Sequence, residues 1–389
     1  MAAASPLRWS GRLPWEEPIN SLTRAREERA SQSLPTIDLT ESNPTRVGIP
    51  YPDGELREIL GRAAGPVYEP HPRGLPEARE ALAAALSSPG DPVSPDDLVL
   101  TASTSESYSW LFKIFCEPGE EVLTTAPSYP LLDSLAALEG LALSHVHLAP
   151  GRGFAIETEK VELALTPDTR LLALIHPGNP TGAFLSPSEQ EAMAGLCASR
   201  GMPLVSDEVF LDYPLEEACF RPAAGLDGDA LVFSLGGLSK SAGLPGWKLG
   251  WIRVGGPAGE RRRAIEALEM VADSYLSVAT PVQRALPEIL EVAPRIRCAI
   301  LDRIRTNLAV LRSSGVELLE PQGGWSAVVR ACDPRPDEEL ALEILDRAGV
   351  LVHPGYFFDF ATDDFLVLSL LPEPERFAEG VTQLLETLR

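Results

Sequence analysis

Four short polar motifs in this 389-residue chain each follow a brief apolar run or open a helix, and together they carry groups able to do chemistry. Lys240 closes Gly236-Gly-Leu-Ser-Lys240 and leads into Ser-Ala-Gly-Leu-Pro-Gly-Trp-Lys-Leu-Gly250. Asp207 and Glu208 follow the run Pro203–Ser206, and Asn179 sits in His176-Pro-Gly-Asn-Pro-Thr-Gly182, a proline- and glycine-fixed turn that holds its carboxamide in place. Thr101-Ala-Ser-Thr-Ser-Glu106 begins a helix, where free backbone N–H groups and the helix dipole favour an anion. By type these are an amine that can bond covalently or carry a proton, a carboxylate, a carboxamide and an anion cradle. Singly each has an ordinary reading: a solvated lysine, a helix cap, a turn residue. It is their order that makes them a set.

The elements that must position them are legible. Leu98–Leu100, Glu121–Thr124, Leu171–Ile175, Pro203–Ser206 and Leu231–Ser234 are short and apolar throughout, as strands are when helices cover both faces of a parallel sheet. In open α/β sheets, ligands bind beyond the carboxyl ends of the strands, which is where the motifs fall. Ser103-x-x-Glu106 and Ser186-x-x-Glu189 fit capping boxes, with Pro187 at a first-turn position; a complete box at Ser103 would consume part of the anion cradle. A strand is expected at 37–39 with a turn at Asn43-Pro44. A long helix is expected over Pro281–Leu311, interrupted near Pro294. Beyond it come a strand at Trp325–Val329, a helix at Asp337–Ala348 and a strand at Phe365–Leu370.

The net charge of −23 argues against nucleic-acid or anionic-membrane partners. Five scattered cysteines without a CxxC pair suit reduced thiols in a cytoplasmic protein, and neither a signal peptide nor a membrane span is expected. His145-x-His147 could pair on a metal, but with no third ligand at suitable spacing no metal site is expected.

Asn-Pro-Thr-Gly, then Ser-Asp-Glu-Val-Phe, then Leu-Ser-Lys-Ser-Ala-Gly-Leu-Pro-Gly, in this order and spacing, resembles the class I/II aminotransferases of fold type I, which use pyridoxal 5'-phosphate. Tyr68 with Gly74-Leu-Pro-Glu-Ala-Arg79, Ala126-Pro-Ser-Tyr129 and Thr280-Pro-Val-Gln283 extend the likeness over roughly residues 35 to 389. The resemblance implies an α/β fold. Its large domain (46–285) would hold a mostly parallel, seven-stranded-type sheet between helices; a smaller α+β domain would combine the amino-terminal arm (1–45) with the linking helix and carboxy-terminal part (286–389). It implies that Lys240 holds the cofactor as a Schiff base and carries the proton, that Asp207 pairs with the pyridine nitrogen, that Asn179 donates to the phenolic oxygen and that Tyr129 stacks on the ring. Ser103, Thr104, Ser105 and Lys248 would receive the phosphate, and Tyr68 would reach it from a second subunit, making a homodimer the working unit.

Four positions depart from the family pattern. Phe210 replaces a tyrosine beside the phenolic oxygen, Lys248 an arginine on the phosphate, and Gly237 a phosphate-binding serine. Val367 replaces the arginine that binds the substrate's α-carboxylate, leaving Arg46 or Arg73 as candidate replacements; Glu41 and Ser42 lie in the segment that closes over substrate. The expected activity is transfer of an amino group from an amino acid donor to a 2-oxo acid acceptor. The alternative is a lyase, racemase, decarboxylase or cyclase on the same fold, made credible by Val367. A transcription-regulator module is disfavoured by the acidic chain and the roughly forty residues ahead of the family-like region.

Overall fold

The computed structural model describes residues 7, 9–13, 19–215, 222–331 and 333–388. In chain order its strands are β1 (Ile37–Asp38), β2 (Leu98–Thr101), β3 (Glu121–Ala126), β4 (Ala142–His147), β5 (Thr169–Ile175), β6 (Leu204–Asp207), β7 (Val232–Gly237), β8 (Gly250–Gly255), β9 (Glu317–Leu319), β10 (Ser326–Arg330), β11 (Val350–Leu351), β12 (His353–Pro354) and β13 (Phe365–Ser369). Seven of them form the central sheet in the order β2-β8-β7-β6-β5-β3-β4. All its pairings are parallel except those of β8, which runs antiparallel to both β2 and β7. A mixed α/β fold with a mostly parallel sheet between helices is therefore what the chain adopts.

The pleat explains why these strands are apolar at every position. On β5, Leu171 and Ala173 join the cluster made with the helices Thr104–Phe115 and Ala258–Tyr275. Leu172 and Leu174, pointing the other way, join the cluster made with the helix Pro187–Arg200. That helix starts with the expected capping box, Ser186 and Glu189 each satisfying the other's backbone N–H.

A second sheet, β12-β13-β10-β9, is antiparallel throughout. Strand β1 pairs in parallel with β11, Ile37 opposite Val350, so an early segment of the chain is held by a late one. The Arg29 guanidinium adds hydrogen bonds to the carbonyls of Pro35 and Asp346.

The helix Thr280–Ser314 corrects one expectation: it continues through both Pro287 and Pro294 without a break. Ile289, Val292, Ala293, Ile296 and Ile300 are buried along one face on both sides of Pro294, and this packing holds the helix across the hydrogen bond that the proline cannot donate. The expected helix at Asp337–Ala348 is α-helical only to Glu343, with a π turn over Ile344–Ala348.

Cys116, Cys197 and Cys298 are unpaired, while Cys219 and Cys332 lie outside the described residues. Among the described residues no helix is long and apolar enough to cross a membrane. The expectation that His145 lacks further ligands is corrected: His145 Nε2 stands 3.8 Å from Asp133 and 4.0 Å from Asp359, two half-exposed carboxylates that cluster with it.

The antiparallel β8 is tied to the chain ahead of β2 by a buried ion pair. Arg253, 6% exposed, donates from both terminal nitrogens to Asp91, with Nη1 2.7 Å from Oδ2. Removing one partner leaves an uncompensated buried charge, so Asp91→Ala is expected to cost about 3–5 kcal/mol, whereas replacing both with apolar residues costs far less. Thermal melts of Asp91→Ala and of the Asp91→Ala/Arg253→Met pair check this; equal losses would show that packing, not charge, holds the junction.

Candidate active site

At the carboxyl ends of β5, β6 and β7 the structure opens a cavity of about 320 Å³. Its wall includes Lys240, Asp207, Asn179, Tyr129, Phe210, Lys248, Ser42 and the run Ser103-Thr104-Ser105, gathered from segments far apart in sequence.

Lys240 lies on a single helical turn, Leu238–Ser241, after β7. Leu238 N–H donates to the Leu249 carbonyl (2.9 Å), and the Tyr213 hydroxyl donates to the carbonyl of Lys240 itself (2.6 Å), fixing the backbone that carries the amine. The amine sits over two aromatic faces, 4.6 Å from a Trp325 ring centroid and 5.3 Å from that of Phe210. Burial lowers its pKa to about 8, against a smaller upward pull from Asp207.

Asp207 ends β6, with its carboxylate accepting from Val209 N–H at 3.2 Å. Burial raises it to about 6, while the Val209 N–H, Tyr108 and Lys240 pull it back. No ion pair reaches it within 4 Å among the described residues. The Tyr108 hydroxyl is buried beside it without closing a hydrogen bond of standard geometry, and burial, then the Asp207 charge, hold that phenol well above its ordinary value.

The Asn179 turn is closed by Gly178 N–H donating to Ala183 (2.8 Å) and Gly182 N–H to Gly178 (2.7 Å). Gly182 takes φ +68°, and a Cβ there would meet the Gly323 carbonyl oxygen at 2.4 Å. Only glycine permits both the conformation and the approach. Through it the Gly182 carbonyl accepts from Gln322 and Gly323, which fixes the segment leading to Trp325 against the Asn179 turn.

The expected capping box at Ser103 forms by half. Ser103 Oγ accepts from Glu106 N–H, but Glu106 reaches one residue further back, to Ala102 N–H at 2.6 Å. Among the described residues no acceptor takes the N–H groups of Ser103, Thr104 or Ser105, so the cradle stays open at the head of a 12-residue helix. Gly250 lies against it: a Cβ there would come within 3.1 Å of the Ser103 carbonyl carbon.

Four expected residues stand outside this wall. Tyr68 is 63% exposed in a separate shallow groove with His71 and Gln283. Glu41 turns back to accept from Asn43 N–H (3.0 Å) and pairs with the exposed Arg46 at 3.6 Å. Arg73 pairs with Glu269 (3.5 Å) and lies 4.0 Å from Asp96. Neither arginine enters this chain's cavity, because each is engaged by a nearby acid. Conversely, Thr40, Tyr108, Trp325 and His353 line the cavity unforeseen. Tyr108 lies within the helix that Ser103 caps, so helical spacing could have flagged it; Trp325 and His353 have no local signal.

Comparison with known proteins gives the class. An alanine aminotransferase from Pyrococcus furiosus superposes with a TM-score of 0.89, covering 98% of this chain and 99% of that one at 24% identity. An aspartate aminotransferase double mutant from Thermus thermophilus superposes at 0.84, with 25% identity over 98% and 100%. By sequence the chain is 29% identical to the aspartate/prephenate aminotransferase of Thermus thermophilus over 330 residues, 82% of this chain and 83% of that one. It is 27% identical to the alanine aminotransferase of Mycobacterium tuberculosis over 362 residues, 90% and 84%. Residues 68–376 match the family model for aminotransferase class I and II. The chain belongs to that family and is an aminotransferase.

If the helix start and Lys248 together form an anion site, Lys248→Ala weakens inorganic phosphate binding to the ligand-free protein by about tenfold, the scale of one charge-assisted hydrogen bond. Calorimetric titration with phosphate reads this; unchanged affinity would remove Lys248 from the cradle.

Proposed function

We propose that the cavity holds pyridoxal 5'-phosphate, linked to Lys240, and transfers an amino group between an amino acid and a 2-oxo acid. The observation that carries the reading is Asp207: a buried carboxylate with no cationic partner within ion-pair distance, on the same wall as a buried amine and an open anion cradle. A protonated pyridine nitrogen supplies the partner that Asp207 lacks, and the phosphate suits the N–H groups of Ser103–Ser105. The residues present fit the group.

Bound there, the cofactor would act as an electron sink for charge developing at the substrate's Cα. Asp207, fixed at the end of β6, would keep the ring nitrogen protonated. The Asn179 carboxamide, without a hydrogen-bond partner among the described residues, is free to donate to the phenolic oxygen. Tyr129, on the cavity wall, would supply an aromatic face for the ring. Phe210 provides only a ring edge against Trp325 (5.4 Å, near-perpendicular), so no hydroxyl assists Asn179 from that side. The Lys240 amine would move a proton at the substrate's Cα, its lowered pKa of about 8 giving it a larger share of the neutral, basic form near neutrality than an ordinary lysine has.

The same reading makes the chain a dimer, with the exposed Tyr68 reaching the cavity of a second copy. The three unpaired cysteines support a reducing, cytoplasmic setting. The proposed division at residues 45 and 285 is supported by the seven-stranded sheet lying within 46–285 and the four-stranded sheet within 286–389, both of which contribute to the cavity wall. The names of its relatives make alanine, aspartate and tyrosine the first donors to try.

The test is the visible spectrum of the cofactor-loaded protein before and after each amino acid, with products identified by mass spectrometry. Loss of the bound-cofactor band together with release of the matching 2-oxo acid is expected. Lys240→Ala is expected to lower turnover by at least about a hundredfold, the scale of a lost proton carrier. A wild-type protein that forms no such band would overturn the reading.

A pH series gives a second check. Capture of the cofactor would need the neutral amine, and the Lys240 pKa is about 8. Capture of added cofactor should therefore quicken about tenfold per pH unit below 8 and level off above it. Because Asp207 pulls the Lys240 pKa upward, Asp207→Asn should move that plateau to lower pH; stopped-flow absorbance follows both.

A further inference from the structure

An aminotransferase acting on an amino acid must hold an α-carboxylate, and Val367 cannot. It is 3% exposed and packs with Phe154, Val328, Phe358 and Phe365. The register of the second sheet shows what stands beside it. Val367 on β13 is directly opposite His353 on β12 and Val328 on β10. Directly opposed residues of antiparallel strands project to the same face, so His353 and Val367 are neighbours on one surface, and both line the cavity. Ser326 and Ser369, an opposed pair two positions along that face, line it too.

The rest of the wall narrows the choice. Among the described residues, the cavity lining holds no arginine, and its basic side chains are Lys240, Lys248 and His353. On the reading above, Lys240 and Lys248 are committed to the cofactor. Arg330, the arginine on the Val367 face of β10, is drawn away by Glu317 (2.7 Å) and Asp364 (2.9 Å) and does not reach the wall. His353 has no hydrogen bond at either ring nitrogen among the described residues, while Phe357 and Phe358 pack around its ring at 5.7 and 5.9 Å between centroids. An imidazole held by aromatic rings, with its nitrogens unpaired at a cavity wall, is an oriented donor without an acceptor.

We propose that His353 binds the α-carboxylate of the amino acid and 2-oxo acid substrates, taking from the neighbouring strand the place that Val367 vacates. The inference rests on the aminotransferase reading with Lys240 as the cofactor's anchor. Burial lowers the His353 pKa, with the Asp38 charge working against it and Arg26 with it, so the ring meets the carboxylate mainly as a neutral donor. A single neutral donor grips less firmly than a two-pronged guanidinium, which predicts weak saturation by simple amino acids.

The experiment measures KM and kcat of the wild type, His353→Phe and His353→Arg with L-alanine and L-aspartate, together with competitive inhibition by propionate, which carries a carboxylate and no amine. Cofactor absorbance and a melting curve verify that each variant is folded and loaded. His353→Phe keeps an aromatic ring and removes the donor; it is expected to raise KM and the propionate inhibition constant by about tenfold or more, with kcat changed less than about threefold, as for loss of one hydrogen bond to a charged group. His353→Arg is expected to restore or improve both constants. Unchanged KM in loaded His353→Phe, or a fall confined to kcat, overturns the proposal. Should one variant fail to load, the other decides, since loaded His353→Arg with propionate inhibition unimproved also overturns it. Lys240→Ala separates the two claims: if it keeps the cofactor band, the underlying reading fails whatever His353 does.

Discussion

The site depends on the cost of burying charge. Asp207 sits where solvent is nearly excluded, and Lys240 shares its cavity from the next strand. Each perturbs the other's protonation, and burial outweighs their mutual attraction in both. An ionised carboxylate is expensive in such a place unless something cationic meets it, and an ammonium is expensive unless it sheds its proton. The fold holds the two groups apart on separate strand ends rather than letting them neutralise one another. Both therefore remain available to a ligand, and this tension organises the surrounding wall.

Holding them there takes backbone more than side chains. The carbonyl of Lys240 is pinned by Tyr213, the Asn179 turn is stitched to the segment before Trp325 through Gly182, and Gly250 brings β8 against the helix start at Ser103. These contacts let strand ends converge on one cavity. The faces of Phe210 and Trp325 cover the amine, which burial keeps less basic than an exposed lysine.

Much of this was legible in the sequence because it is local. The runs ending at Ile175, Ser206 and Ser234 announce covered parallel strands, and the groups they deliver follow within a few residues, so Asn179, Asp207 and Lys240 could be named together. What escaped depends on contacts between distant parts of the chain. His353 gains its meaning from being opposite Val367, a register no local pattern encodes. Trp325 reaches Lys240 across 85 positions of sequence. Arg46 and Arg73 carried the right charge, yet pairing with nearby acids decided their direction. Pro294 reads as a helix breaker until the buried isoleucines on either side are seen to hold the helix through it.

The pairing of β1 with β11 bears on how the protein is made. Thr40 and Ser42, among the first residues of the cavity wall to leave the ribosome, follow directly from β1, whose partner Val350–Leu351 is synthesised more than three hundred residues later. The central sheet can assemble as its strands emerge, since its neighbours arise close together in time. That portion of the cavity rim has to wait, tethered but undocked, until the residues of β11 have been added. The earliest residues of the site to be translated are thus among the last to be placed, so a chain cut short would carry its lysine and its carboxylate in an unfinished pocket.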